Sequence, residues 1–183
     1  PRGGSLFTLE YNRDWNLFIS GFEVNQNFGT LQEVYDRHYY HRILGDLRQY
    51  FPGIGGGHSA MFRVKGGFID KPIDSFYNFF GGGLDGMRGY PFYSIEGRNV
   101  AQATFAYRFP LIPKLHISLG PLQFDKLFLG VFADYGNAWD DKLELSEFKK
   151  TIGTQLRLNA YSFYGLPTRF FFDAAYGFDE FMN

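Results

Sequence analysis

Phe79 to Tyr90, FFGGGLDGMRGY, places five glycines in twelve residues around one arginine. A glycine-rich turn beside a cation suggests phosphate binding, but the required patterns are missing. A nucleotide loop needs GxxxxGK[ST], and a dinucleotide turn needs GxGxxG opening a helix after a strand. A solvated tether does not fit either, because Phe76, Tyr77, Phe79, Phe80, Tyr90, Phe92 and Tyr93 are too apolar for one. The remaining reading is a buried loop, in which Gly81, Gly82 and Gly83 after Phe80 let the backbone turn sharply and pack closely. Its cargo is Arg88, a planar five-donor fork that suits a carboxylate.

The other reactive side chains do not assemble into a catalytic site. His38 and His41 are three residues apart, which puts them on opposite faces of a strand and unable to share a metal. Ser94 and Ser162 have no histidine and aspartate arranged around them. Asp140–Asp141 reads as an exposed loop tip rather than a calcium site, and Glu144 and Glu147 as solvated loop charges. The absence of cysteine excludes disulfides, thiol chemistry and Cys-ligated zinc. The chain is therefore expected not to be an enzyme and to need no cofactor or metal. A net charge of −1 without a Lys/Arg-rich run argues against a nucleic-acid partner.

What positions Arg88 must be β-structure. The chain is 21% aromatic and rich in glycine, a composition that favours strands, bulges and turns. Apolar and polar residues alternate over seven segments, about 5–13, 37–51, 58–69, 99–109, 125–138, 151–162 and 168–178. Leu129, Val131, Ala133 and Tyr135 oppose Gly130, Phe132, Asp134 and Gly136. Ile152, Thr154, Leu156 and Leu158 oppose Gly153, Gln155, Arg157 and Asn159. Phe170, Phe172 and Ala174 oppose Arg169, Phe171 and Asp173. Strands of ~9–11 residues with one purely apolar face and mid-strand charges on the other suit a tilted bilayer crossing around a wet lumen. A soluble sandwich also alternates, but with strands nearer ~5–6 residues. Tyr39, Tyr40, Tyr50, Phe51, Tyr107, Phe109, Trp139, Tyr161 and Phe163 fall near segment ends, as interfacial girdles do.

Connections mostly alternate in length. Pro52–Gly57 and Tyr164–Pro167 are short; Asp14–Asp36, Asp70–Arg98 and Asp140–Lys149 are long; Pro110–Gln123 is middling where a short turn is expected. With short turns at the periplasm, the first and seventh strands both rise. An odd set of strands cannot close a bacterial barrel, and open edges are forbidden in lipid. Further strands are expected before Pro1, a start without Met, and after Asn183.

These residues resemble the BamA-type outer-membrane protein superfamily, the bacterial surface antigen family. Phe79-Phe80-Gly81-Gly82-Gly83 followed by Met87-Arg88-Gly89-Tyr90 is similar to its F-x-x-G-G … [VL]-R-G-[FY] loop. Tyr107-Arg108-Phe109-Pro110-Leu111 resembles its E-[FY]-R-[FT]-P strand end, and Phe132 to Trp139 its F-x-D-x-G-x-x-W strand. Gly153-Thr154-Gln155-Leu156-Arg157 resembles G-x-G-[LI]-R, with Gln155 at a common glycine. The resemblance implies an antiparallel barrel of about sixteen strands, of which this chain supplies seven near the C-terminal end, residues 70–98 forming a loop inserted into the lumen. It implies that Arg88 meets acidic side chains on the inner wall. Asp134 is the expected partner, with Asp173 the second choice, because both lie on the polar parity where a membrane sheet must hide its carboxylates. Gly89 and Tyr90 belong to the same latch, and Gly136, Gly153 and Arg157 to the lumen wall. Many relatives carry an acid where this chain has Ala106, so one partner of Arg88 is lost.

The function implied is insertion, assembly or translocation of β-rich client polypeptides by edge-strand pairing in the bacterial outer membrane. Outer-membrane lipid is an expected partner, with periplasmic modules or lipoproteins outside this chain. Alternatives are a barrel that anchors or exports a fused effector, such as a lipid hydrolase or adhesin, and a passive pore.

Overall fold

The computed structural model describes residues 3–163 and 165–179. Tyr164, in the expected turn at 164–167, lies outside them, as do Pro1, Arg2 and residues 180–183. Seven long strands form one antiparallel, curled sheet: β1 (Gly4–Asn25), β2 (Thr30–Pro52), β3 (Ser59–Ile69), β6 (Asn99–Ile112), β8 (Leu122–Trp139), β9 (Lys149–Ser162) and β10 (Leu166–Gly177). They pair in chain order. Two short strands, β4 (Phe79–Phe80) and β5 (Glu96–Gly97), pair with each other within the 70–98 loop, and β7 (Ile117–Leu119) pairs with β8. The only helical segments among the described residues are three single 3-10 turns. The chain is part of a β-barrel wall.

Burial distinguishes this wall from a soluble sandwich. The apolar parity stays bare: Phe62, Val64 and Phe68 on β3, Phe105 on β6, Val131 and Tyr135 on β8, and Ile152 and Leu156 on β9 are all exposed. Among the described residues, no second sheet covers them. The buried cluster lies on the opposite, concave face, where Tyr40, Ile69, Val100 and Ala138 of the wall meet Phe79, Met87, Tyr90 and Ile95 of the loop. Exposed apolar residues outside and a filled concave side match a sheet whose outer face meets lipid.

Two expectations change. The long connection expected at 14–36 is a continuation of the first hairpin: β1 runs 22 residues and β2 runs 23, joined by a tight turn after Asn25. The alternation does not stop at Arg13. Trp15, Leu17 and Ile19 continue it; then a one-residue register shift between Ile19 and Gly21 moves the pattern onto Phe22 and Val24. Such a bulge flips every later side chain relative to a strict period of two. The second change is Tyr40, which belongs to the buried concave cluster and not to an aromatic belt. The middling connection at 110–123 contains β7.

Candidate functional site: the lumen loop and its ion pair

The 70–98 loop leaves β3, folds over the concave face and returns to β6. Backbone hydrogen bonds give it a fixed shape. Gly81 N–H donates to Ile95 O at 2.7 Å, Met87 N–H to Gly81 O at 2.7 Å, and Gly83 N–H to Tyr90 O at 3.0 Å. Gly83 has φ +84°, a conformation that glycine adopts without penalty. Gln102 on β6 donates to Gly81 O at 2.6 Å from a buried position. Phe80 stacks on Phe92 and meets Tyr93 edge-on, with centroids 5.6 and 5.1 Å apart. Met87, fully buried, plugs the tip into the wall.

This shape delivers Arg88 to β8. Its Nε donates to Asp134 Oδ2 at 3.2 Å and a terminal nitrogen donates to Oδ1 at 2.9 Å, a two-pronged fork on one carboxylate. The Arg88 backbone N–H adds a long contact to Oδ2 at 3.4 Å. Thr104 on β6, which faces Asp134 in the β6–β8 register, donates its hydroxyl to Oδ1 at 2.9 Å. The guanidinium carbon lies 3.2 Å from the centre of the Phe132 ring, two residues before Asp134 on the same face. The side chain of Asp134 is 1% exposed and that of Arg88 12%. A carboxylate this dry is stable only when paired and hydrogen-bonded, and the fork and the threonine supply both.

Glycines on three neighbouring segments clear the space. A Cβ at Gly89 would meet Gly177 N at 2.7 Å and Thr151 at 2.9 Å. One at Gly136 would sit 2.7 Å from Ala101 O, and one at Gly153 would run into the Phe132 ring and Ala174 O. Gly153 thus makes room for the ring beneath Arg88. Tyr90 anchors the far side. Its hydroxyl lies 3.2 Å from Lys150 O and 3.1 Å from Asp179 Oδ2, and accepts from Asp179 N–H at 3.0 Å. Tyr90→Phe is expected to cost about 1 kcal/mol in unfolding free energy, the usual worth of such a bond, read by urea unfolding of the vesicle-inserted barrel.

The other expected residues lie apart from this pair. Asp173 Oδ2 accepts from Gln155 at 3.2 Å, while Gln155 Oε1 accepts from Arg108 at 2.7 Å. Gln155, the departure from the glycine pattern, thus engages Asp173, and Arg88 does not reach it. Arg157 bonds Asn159 at 3.3 Å and lies over Phe171, away from Asp134. Ala106 lines a cavity of about 220 Å³ that also touches Arg63, Arg88 and Arg108.

A second ionic contact holds the loop and was not singled out from sequence. Asp46 on β2 accepts from Arg48 at 2.7 Å and from Arg63 on β3 at 2.7 Å; Arg63 reaches on to Asp85 of the loop at 2.9 Å, with Lys65 3.2 Å from the same carboxylate. Burial pushes the Asp85 carboxyl up, but Arg63 and Lys65 outweigh it and hold the group below its ordinary range. The available signal was parity, since Asp46, Arg63 and Lys65 all lie on lumen faces; pairing them needs the β2–β3 register. Asp46→Asn is expected to lower the unfolding free energy by about 1–2 kcal/mol, since charged hydrogen bonds are lost while Arg63 keeps Asp85.

The family model for the Omp85 superfamily domain matches residues 12–178. The chain belongs to the Omp85 superfamily. No curated protein sequence matches it. At the level of the family, Omp85 proteins are outer-membrane transporters and assembly factors that insert or translocate polypeptides. Among the described residues, no three His, Asp or Glu side chains are grouped to hold a metal ion.

Proposed function

We propose that this Omp85 chain is a C-terminal portion of a barrel of about sixteen strands, which inserts or translocates β-rich polypeptides by pairing client strands with a barrel edge. The loop carrying Arg88 is a latch in this reading. It performs no chemistry; it holds the inner wall in register while clients pair by main-chain hydrogen bonds at the seam. The observation that carries the reading is the Arg88–Asp134 fork, which ties a loop to mid-barrel β8 through a carboxylate that has no other charged partner among the described residues. The Asp85–Arg63 contact supports it by tying the loop to the wall at a further point, and the β4–β5 pair by stiffening the loop itself.

The test is insertion of a client barrel into vesicles by the full protein, followed by heat-modifiable migration of the client. Arg88→Ala is expected to slow insertion several-fold at a temperature where the variant barrel remains folded, and Arg88→Lys to restore only part of the rate. Equal insertion rates and equal barrel stability for Arg88→Ala and the parent would remove the latch.

A further inference from the structure

The outer face of the β1–β2 hairpin carries an unassigned site. The β1–β2 register sets the order of side chains on this face: Tyr11 opposite Ile43, Arg13 opposite His41, Trp15 opposite Tyr39, and Leu17 opposite Arg37. Below Arg13 the face is mostly apolar, with Phe7 and Leu9 on β1 and Ile43, Leu47 and Phe51 on β2 exposed, and a single polar pair, Ser5 opposite Gln49, near its lower end. Ten positions separate Phe51 from His41, about 34 Å along a strand and about 25 Å along the membrane normal at the usual barrel tilt. That is the height of the apolar band of an outer-membrane barrel. The first cations on this face therefore stand at its upper rim, at the long-loop end.

Aromatics surround them. The Arg13 guanidinium lies 5.3 Å from the centre of the Trp15 ring. The Tyr11 hydroxyl is 2.7 Å from His41 Nδ1, and the two rings stack. Among the described residues, no carboxylate pairs with Arg13 or Arg37. Glu33, the next acid up this face, takes a hydrogen bond from Tyr35. On the concave face, by contrast, Asp46 and Asp85 neutralise Arg48, Arg63 and Lys65, while Arg108 bonds Gln155 and Arg157 bonds Asn159. Strands beside β1 would pair along its edge and leave this face uncovered.

We infer that Arg13 and Arg37, framed by Trp15 and Tyr39, bind the phosphate of an anionic lipid in the leaflet at the long-loop end. The occupant follows from position and charge. At the rim of the apolar band the neighbouring molecule is a lipid, and two arginines without carboxylate partners select its phosphate. Trp and Tyr rings sit at headgroup depth and fix the acyl boundary. The inference rests on the outer-membrane reading.

Trp15 reports on the site directly. The full barrel is placed in phosphatidylcholine vesicles doped with brominated phosphatidic acid or brominated phosphatidylcholine, and Trp15 quenching is isolated by subtraction of the Trp15→Phe protein. Quenching is expected at several-fold lower concentration of the brominated phosphatidic acid. Arg13→Gln/Arg37→Gln should erase that preference, each arginine being worth about five-fold, while Lys142→Gln, in the exposed 140–148 loop, should keep it. Equal quenching by the two lipids in the parent, or a preference that survives the double substitution, overturns the site. Heat-modifiable migration separates this from failure of the wider reading: a barrel that forms but shows no preference sinks the lipid site alone, and a chain that never forms an SDS-resistant barrel sinks both.

Discussion

Arg88→Ala lowers the unfolding free energy of the vesicle-inserted barrel by about 3–5 kcal/mol, the cost of leaving one member of a buried ion pair uncompensated. The magnitude follows from Asp134, not from the arginine. Its side chain is 1% exposed, and with alanine at 88 it retains only the Thr104 hydroxyl and the long contact from the residue-88 backbone N–H. The carboxylate must then admit water, take up a proton or displace the loop. Asp134→Asn is the milder change, because the amide oxygen still accepts from Arg88 and the orphaned cation, 12% exposed, lies at the edge of the lumen cavity. Arg88→Ala/Asp134→Ala should be less damaging than the sum of the single changes, with a coupling of at least ~1 kcal/mol. Urea unfolding of these proteins and of Asp134→Ala, which closes the cycle, from vesicles and followed by tryptophan emission measures each of these effects. A loss below ~1 kcal/mol for Arg88→Ala would place the pair among solvent-screened surface bridges and remove it as the latch.

The wall was legible because its chemistry has a period. On β8, Val131, Ala133 and Tyr135 alternate with Phe132, Asp134 and Gly136, and lipid on one side with water on the other leaves one assignment of faces. The same parity brought Asp134 forward as a partner for Arg88. Long-range partners were not legible, because they depend on register. Thr104 meets Asp134 only through the β6–β8 alignment, and Asp46 meets Arg63 and Asp85 only through the β2–β3 alignment and the descent of the loop. Asp173 stood second as a partner on parity alone; the β9–β10 register places Gln155 opposite it, and the Gln155 amide occupies that carboxylate. The extended hairpin was hidden by one unpaired residue, Ser20, after which Phe22 and Val24 appear on the wrong parity. Tyr40 looks like a belt residue beside Tyr39, yet adjacent strand positions face opposite ways, and Tyr40 turns inward.

Gly82→Ala should cost about 3 kcal/mol, the upper end for forced overpacking, although it adds one methyl group to a loop. The added Cβ would run into the Pro91 carbonyl oxygen and approach Phe92 O at 3.1 Å. Both obstacles are backbone, so no rotamer change relieves them. Pro91 cannot retreat freely, because its carbonyl also accepts from Ser94 N–H and Ser94 Oγ. The strain passes to the contacts that set the tip: the Gly82–Met87 bridge, the buried Met87 plug and the fork beside it. Gly45→Ala is the matched control, since a Cβ there has its nearest neighbour 3.9 Å away. It should change stability by less than ~1 kcal/mol. If Gly82 acts by seating the tip, its effect and that of Arg88→Ala draw on one structure and will not add. Gly82→Ala/Arg88→Ala should then be no more than ~1 kcal/mol worse than the harsher single change. Limited proteolysis supplies the structural readout, with new cleavage inside residues 76–93 while the strands stay protected. A Gly82→Ala barrel that is as stable and as protease-resistant as Gly45→Ala would show that the loop has room to spare, and that the fork alone holds it.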